Sequence, residues 1–365
     1  MIRRRDGLRA LAGWVGLQWL PTAGATRRPV VLPNTPLRFP HDYGSHPEYR
    51  TEWWYVTGAL KTASAARFGF QVTFFRSRVD AAAPARASRF AATQLILGHA
   101  ALTDLGAGRL LHEQRSARAG FGLAEAAVGD TDVRLRDWVL RRRGPPGGSV
   151  YEARLDSPRF ALDLQIRERQ PLLLQGEAGY SRKGPLPEQS SYYYSQPQLA
   201  VQGRLRLARQ THEVQGQAWL DHEWSEEVMH PDADGWDWIG MNLDDGSALS
   251  AARMRRRDGS TLWAAGVWRD PTGERRSFAP DEVRFSPGRR WVSPATQASY
   301  PVEWQVETPV GRYTVRALLD AQELDSRATT GAIYWEGLSE LLDARGQRVG
   351  QGYLEMTGYA DRLRL

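Results

Sequence analysis

Along most of the chain, hydrophobic positions recur at every second residue. Phe160, Leu162, Leu164 and Ile166 alternate with Arg159, Ala161, Asp163, Gln165 and Arg167, and Val201, Gly203, Leu205 and Leu207 alternate with Gln202, Arg204, Arg206 and Ala208. A period of two places one set of side chains on one face of an extended backbone, so both segments read as half-buried strands. The same pattern predicts strands at 53–60, 68–75, 95–103, 133–140, 150–155, 214–220, 236–243, 262–268, 302–307, 313–319, 333–337 and 352–359. Asp245-Gly246, Asp258-Gly259, Thr272-Gly273 and Arg345-Gly346 supply turn chemistry between several of them. Only 117–128 and 337–342 carry patterns that a helix could use, and both are short. Many short strands with few helices predict an all-β sandwich or barrel.

A composition shift divides the chain. Residues 181–198 hold three prolines, one glycine and the run Ser190-Ser191-Tyr192-Tyr193-Tyr194-Ser195, and read as a linker or crossover. The division gives an N-terminal unit, 26–185, and a C-terminal unit, 186–365, each long enough for a barrel that encloses one small ligand. Glu52-Trp53 and Glu223-Trp224, 171 residues apart, suggest an internal duplication, although Glu303-Trp304 shows that the dipeptide also recurs by chance.

Residues 1–25 have a different character. A basic start (Arg3, Arg4, Arg5, Arg9) precedes a mostly apolar stretch from Ala10 to Leu20 and a small-residue ending at Ala23-Gly24-Ala25, the pattern of a cleaved secretory leader. The apolar stretch is too short to span a bilayer, which takes about 20 residues, and no later window is long and apolar enough. The expectation is a periplasmic or secreted protein with no stable membrane anchor after cleavage. Hydrophobic residues at 41% and charged residues at 25% suit a chain with a buried core. Half of the formal net charge of +6 comes from the leader. The remaining arginines are interleaved with Asp and Glu, so the charge gives no reason to expect a nucleic-acid partner. The absence of cysteine removes thiolate, iron–sulfur and Cys-zinc chemistry together.

Candidate chemistry gathers in Trp219-Leu220-Asp221-His222-Glu223-Trp224-Ser225. On a continuing strand His222 and Trp224 share one face while Asp221 and Glu223 share the other, so imidazole and indole point into one space. The alternative is a strand end in which His222 bonds backbone and Trp224 packs as core. A metal site from Asp221, His222, Glu223 and His230 is disfavoured, because adjacent strand residues diverge. In the next strand Asp237 shares a face with Ile239, Met241 and Leu243, while Trp236 and Trp238 face the other way. Such a carboxylate is either ion-paired to arginine or sits in a cavity with a raised pKa. Glu52, beside Trp54 and Val56, poses the same question, and His99 reads as a packed strand histidine. No Gly-x-Ser-x-Gly, His-Glu-x-x-His or phosphate-loop motif occurs, and no motif calls for a metal or cofactor.

The runs FPHDYGSHPEYRTEWWYVTG at 39–58, DHEWS at 221–225, WDW at 236–238, YWEG at 334–337 and GYLEMTGY at 352–359 resemble the AttH-like group. That group belongs to the hydroxyneurosporene synthase, or carotenoid 1,2-hydratase, superfamily, often labelled secreted hydrolases. The resemblance implies two tandem lipocalin-like β-barrel domains. In the hydratases a His and a Trp two residues apart are implicated together with a downstream Tyr and Asp. His222 and Trp224 match the first pair, whereas Asp237 follows Trp236 instead of completing a Tyr-x-Asp pair. Hydration of an alkene needs a protonated acid, cation stabilisation and a base for water, roles for Asp237, Trp224 and His222 with Glu52, Trp54, Trp236 and Trp238 lining the ligand. The other reading is a non-enzymatic carrier, in which the same aromatic residues hold a lipid or other hydrophobic small molecule.

Overall fold

The computed structural model describes residues 28–79, 91–227 and 229–363; the leader sequence lies outside them. The described chain is almost entirely strand, with one 3-10 turn at His41–Tyr43. The first thirteen strands are β1 (Thr51–Thr62), β2 (Arg67–Arg78), β3 (Gln94–Asp104), β4 (Arg109–Arg118), β5 (Ala124–Ala126), β6 (Asp132–Leu135), β7 (Trp138–Arg143), β8 (Val150–Asp156), β9 (Phe160–Arg167), β10 (Leu173–Leu174), β11 (Tyr180–Arg182), β12 (Ser190–Leu207) and β13 (Gln210–Ser225). They form one antiparallel sheet in the order β4-β3-β2-β1-β13-β12-β9-β8-β7-β6-β5, with β10 and β11 added to β12. The ends of this sheet curl until β3 and β4 meet β5 and β6, giving a nearly closed barrel. The rest are β14 (Ala233–Leu243), β15 (Ala248–Arg256), β16 (Thr261–Arg269), β17 (Arg275–Phe278), β18 (Arg284–Pro287), β19 (Arg290–Val292), β20 (Ser299–Pro301), β21 (Glu303–Thr308), β22 (Gly311–Ala317), β23 (Glu323–Ser326), β24 (Ala332–Leu342) and β25 (Arg348–Thr357). Their large sheet runs β17-β16-β15-β14-β25-β24-β22-β21-β18, with β23 on β24 and a separate β19-β20 ribbon. The architecture is two lipocalin-like β units in tandem, all-β as the alternation predicts and tandem lipocalin-like as the resemblance implies.

Three expectations need correction. The run at 190–195 is the start of β12 and not a linker, because its residues alternate like any barrel strand. Tyr192 and Tyr194 turn into the first core while Ser191, Tyr193 and Ser195 turn outward. The chain therefore passes between sheets at residues 226–232, about 40 residues beyond the expected boundary. The two Glu-Trp pairs lie in the same barrel as neighbours, with Glu52 opposite Trp224 and Trp53 opposite Glu223, so they are no mark of duplication. The segments with helical pattern fold as the end of β4, turns and β5, and as the end of β24, where cross-strand pairing overrides local preference.

Each unit has its own core, and a third cluster joins them. Tyr55, Leu173, Trp219, Trp238, Leu338 and Tyr353 come together where the outer faces of β1 and β13 meet those of β14, β24 and β25. Close approach there depends on glycine. A Cβ on Gly69 would lie 2.7 Å from the Tyr353 hydroxyl, and one on Gly240 would lie 2.4 Å from the Trp238 ring. No helix among the described residues is long and apolar enough to cross a membrane.

Candidate functional site

Alternation on β1, β12 and β13 sends successive residues to opposite sides of one wall, and each side carries its own chemistry. On the inner side Trp54 pairs with His222 and Glu52 with Trp224 across β1 and β13, while Tyr194 pairs with His222 across β12 and β13. Arg76 faces Glu52 from β2, and the loop before β1 brings in His46. Glu52 is fully buried and accepts from Arg76 Nε at 2.7 Å, His222 Nε2 at 2.9 Å, His46 Nδ1 at 2.8 Å and the His46 backbone N–H at 2.9 Å. The Trp54 ring stacks on His222 at 4.6 Å and the His46 ring on Trp224 at 3.8 Å.

Burial alone would raise the Glu52 pKa, but hydrogen bonds from His222 and His46 and the charge of His46 hold it below its usual range. Burial works against charge on His46 as well, and its bonds to Asp42 and Glu52 outweigh this and lift it to about 9. His222 is shifted down by burial, so its ring is neutral. A carboxylate only accepts, which puts the His222 proton on Nε2 and leaves Nδ1 to accept from the Tyr194 hydroxyl at 3.0 Å. Both ring nitrogens are therefore engaged, and the surrounding space is filled by Tyr43, Trp54, Tyr194 and Trp224. The donor atoms of His46, Glu52 and His222 lie within 4.8 Å of one another, but Arg76 and protonated His46 supply the positive charge that an ion would bring. The set does not fit a divalent metal.

Asp237 is not part of this group. It points into the second core, where Arg253 Nε donates at 2.8 Å, the Tyr359 hydroxyl at 2.9 Å, and Arg255 Nε stands 3.7 Å away. Of the two environments open to it, the arginine pair is the one present. His99 is packed and neutral: burial holds its pKa down to about 3, and its nitrogens meet Tyr334 and Thr329 at 2.8 Å.

The outer side of the same wall faces the second unit. Tyr55 lies opposite Asp221, Asp221 opposite Ser195, and Glu223 opposite Tyr193. From the second sheet come Trp236 and Trp238 on β14, Glu336 on β24 and Glu355 on β25, with Glu355 directly opposite both Trp238 and Glu336. Asp221 accepts from Ser195 Oγ at 2.5 Å and Trp219 Nε1 at 2.7 Å. Burial outweighs these bonds and pushes its pKa up to about 7. Glu223 is ion-paired to Lys183 at 2.9 Å. Glu336 is 3% exposed and neither of its oxygens has a hydrogen-bond partner. The Tyr55 hydroxyl lies beside it but outside bonding geometry, and Trp238 Nε1 is likewise buried without a partner. Burial, then repulsion from Glu355, raises Glu336 well above the carboxylate range. Glu355 goes to about 8, through burial and then Asp221 and Glu223, with Trp236 easing the rise. Trp53, Trp236 and Glu355 are half-buried along the solvent edge of this closely packed cleft between the two sheets.

Residues 30–359 match the family described as AttH-like. The chain belongs to the AttH-like family. A crystal structure of a Nitrosomonas europaea protein provisionally named AttH shares 47% identity, covers 91% of this chain and 99% of its own, and superposes with a TM-score of 0.84. Kievitone hydratase from Nectria haematococca has the same fold at 13% identity, with coverage of 93% and 96% and a TM-score of 0.70. CghA in complex with Sch210972 has a TM-score of 0.52 at 13% identity, with coverage of 84% and 88%. No curated protein matches the chain.

In this AttH-like protein the structure brings His222, Trp224, Glu52 and Trp54 together inside the first barrel. It places Trp236 and Trp238 in the cleft behind them and Asp237 apart from both groups. Sequence reasoning missed Glu336, Glu355, Tyr55 and the outward turn of Asp221 into the cleft. A signal for the glutamates existed: each has a tyrosine two residues away on its own strand face, Tyr334 beside Glu336 and Tyr353 beside Glu355.

Proposed function

We propose that the protein acts on an apolar, unsaturated molecule of lipid or terpenoid type, adding water to it or driving its isomerisation or cyclisation by acid catalysis, in the cleft between the two units. The observation that carries this reading is the set of buried polar atoms there without partners: the Tyr55 hydroxyl, Trp238 Nε1 and both carboxyl oxygens of Glu336. Each such group costs about 1–3 kcal/mol unless something bonds it. Trp238 N–H can only donate, so a ligand that satisfies it carries an oxygen acceptor, while Trp219, Leu338 and Tyr353 favour an apolar body. Protonating an alkene requires an acid kept neutral at working pH, which desolvated carboxyls provide. Indole faces then steady the cation. His222, Trp224 and Glu52 stiffen the wall from behind, and Asp237 braces the second unit through its arginines. The leader reading of residues 1–25 supports a periplasmic or secreted site of action. The same aromatic lining suits a carrier that releases its ligand unchanged.

Farnesol in water enriched in heavy oxygen serves as an alkene probe. The proposal expects a product heavier by one labelled water, and at least about a tenfold loss of farnesol affinity in Trp238→Ala, whose truncation removes a buried aromatic anchor. Binding without a product identifies a carrier, and farnesol affinity unchanged in Trp238→Ala removes the cleft as the site.

A further inference from the structure

Resting on that reading for the identity of the reaction, we infer that Glu336 and Glu355 are a carboxyl pair holding one proton between them. Glu336 donates that proton to the substrate alkene, and Asp221 on the facing wall takes a proton from the attacking water.

The placement carries the assignment. Glu336 and Glu355 are direct cross-strand partners on β24 and β25, a relation that sets Cβ atoms about 4.5–5.5 Å apart. Three other buried carboxyl groups are each met by a cation: Glu52 by Arg76, Asp237 by Arg253 and Glu223 by Lys183. Glu336 and Glu355 have no such ion pair among the described residues. The groups that face them are Tyr55 on β1, Asp221 and Glu223 on β13, Trp236 and Trp238 on β14, Tyr334 on β24 and Tyr353 on β25, none of which brings positive charge. Lys183 stands nearby but is spent on Glu223. Two carboxylates on directly paired residues, the deeper one out of water and neither with a cation, do not both stay ionised at rest, and one proton is retained by the pair until a substrate cation offsets its loss.

The remaining contacts divide the labour. Glu336 is the deeper member and its oxygens are free to meet a substrate, whereas Glu355 is half-buried on the solvent side, where it can recover a proton from water. Asp221 is held by Ser195 and Trp219 on the opposite wall, and the Trp219 ring meets the Trp238 ring edge-on at 6.3 Å, so the two walls are neighbours. In the reaction the Glu336 O–H bond breaks as the alkene π pair forms a C–H bond, leaving a cation on the adjacent carbon and a carboxylate on Glu336. Water adds through oxygen to that carbon and loses a proton to the Asp221 carboxylate. Asp221 releases this proton to solvent and Glu355 returns one to the pair, so alkene and water become alcohol with no net change in the protein.

The test uses the full mature chain and two readouts. Infrared titration of wild type against the double variant Glu336→Gln/Glu355→Gln should give a difference band for a protonated carboxyl at neutral pH that persists well above the ordinary carboxylate range and disappears only in alkali. In Glu336→Gln alone, the band of the surviving Glu355 should titrate at lower pH, because its anionic neighbour is gone. With farnesol as probe, Glu336→Gln should lower kcat at least about a hundredfold, the scale of a lost general acid, with KM little changed. Absence of the difference band at neutral pH overturns the shared proton, as does an unchanged midpoint in the single variant, whatever farnesol does. Full turnover in Glu336→Gln overturns the catalytic role while the hydration reading survives. A wild type that leaves farnesol unchanged defeats that reading while the infrared result still decides the pair. Should Glu336→Gln fail to fold, Glu355→Gln gives the same midpoint comparison from the other side.

Discussion

Replacing Glu52 by Gln separates a structural from a catalytic role for the histidine network. The carboxylate accepts from Arg76, His222 and twice from His46. An amide offers one acceptor oxygen, and its NH2 group would face donors already pointing at it. Arg76, only 2% exposed, would then lose the carboxylate it shares with protonated His46, which would keep only Asp42. Removing one member of a buried ion pair costs about 3–5 kcal/mol. At roughly 2–4 °C per kcal/mol for a unit of this size, the melting temperature should fall by about 6–20 °C. Differential scanning calorimetry measures the fall, and near-ultraviolet circular dichroism, to which stacked Trp54 and Trp224 contribute, reports the loosened packing. Farnesol turnover, measured below the new transition, should persist. A melting temperature within about 2 °C of wild type together with lost turnover would refute the reasoning and make the network catalytic.

Asp237→Asn should lower the melting temperature of the second unit, because Arg253 and Arg255 lose their charge partner, and leave turnover intact; calorimetry beside the farnesol assay checks both. The loop bearing Asp42 and His46 should be best held between about pH 4 and 6.5. His46, raised to about 9, contributes stability that is full below its unfolded value of 6.5 and lost as pH rises through 9, while Asp42, lowered to about 2, contributes stability lost as pH falls through 2. Hydrogen exchange of residues 41–49 across this range measures it, and flat protection would contradict it. Farnesol hydration should be fastest above about pH 7, where Asp221 ionises, and should fall off in alkali, where Glu336, held well above the carboxylate range, loses its proton; a rate that climbs steadily into acid would exclude Asp221 as base. Mature protein recovered from periplasm or medium should begin at or near Thr26 by N-terminal sequencing, and an intact Met1 on cytosolic protein would reject the leader.

The strands were legible because each carries its own period-two signal, and that signal also assigned the faces correctly: His222 with Trp224, Asp221 with Glu223, and Trp236 with Trp238. Alternation is a local property. It says which side chains share a face but not what lies across from that face. Nothing in the order of residues reveals that β12 and β13 return to β1 and close the first barrel, so the crossover was placed before β12 by its prolines and serines. For the same reason the side with His222 drew attention as a candidate pocket, although side chains from four strands and a loop fill it. Asp221, by contrast, comes near Glu355 only because two sheets pack together, the two residues being 134 positions apart in the chain. A site assembled from the outer faces of two sheets leaves little trace in either segment beyond a carboxylate on an apolar face.

The central claim is that chemistry occurs between the two units and not inside the first barrel. A crystal structure of the mature protein soaked with farnesol tests it most directly. The account predicts the alkenyl chain against Trp219, Trp238 and Tyr353, its hydroxyl oxygen on Trp238 Nε1, and a double bond facing Glu336. Farnesol lodged inside the first barrel against His222 and Trp224, with the cleft unchanged, would contradict it.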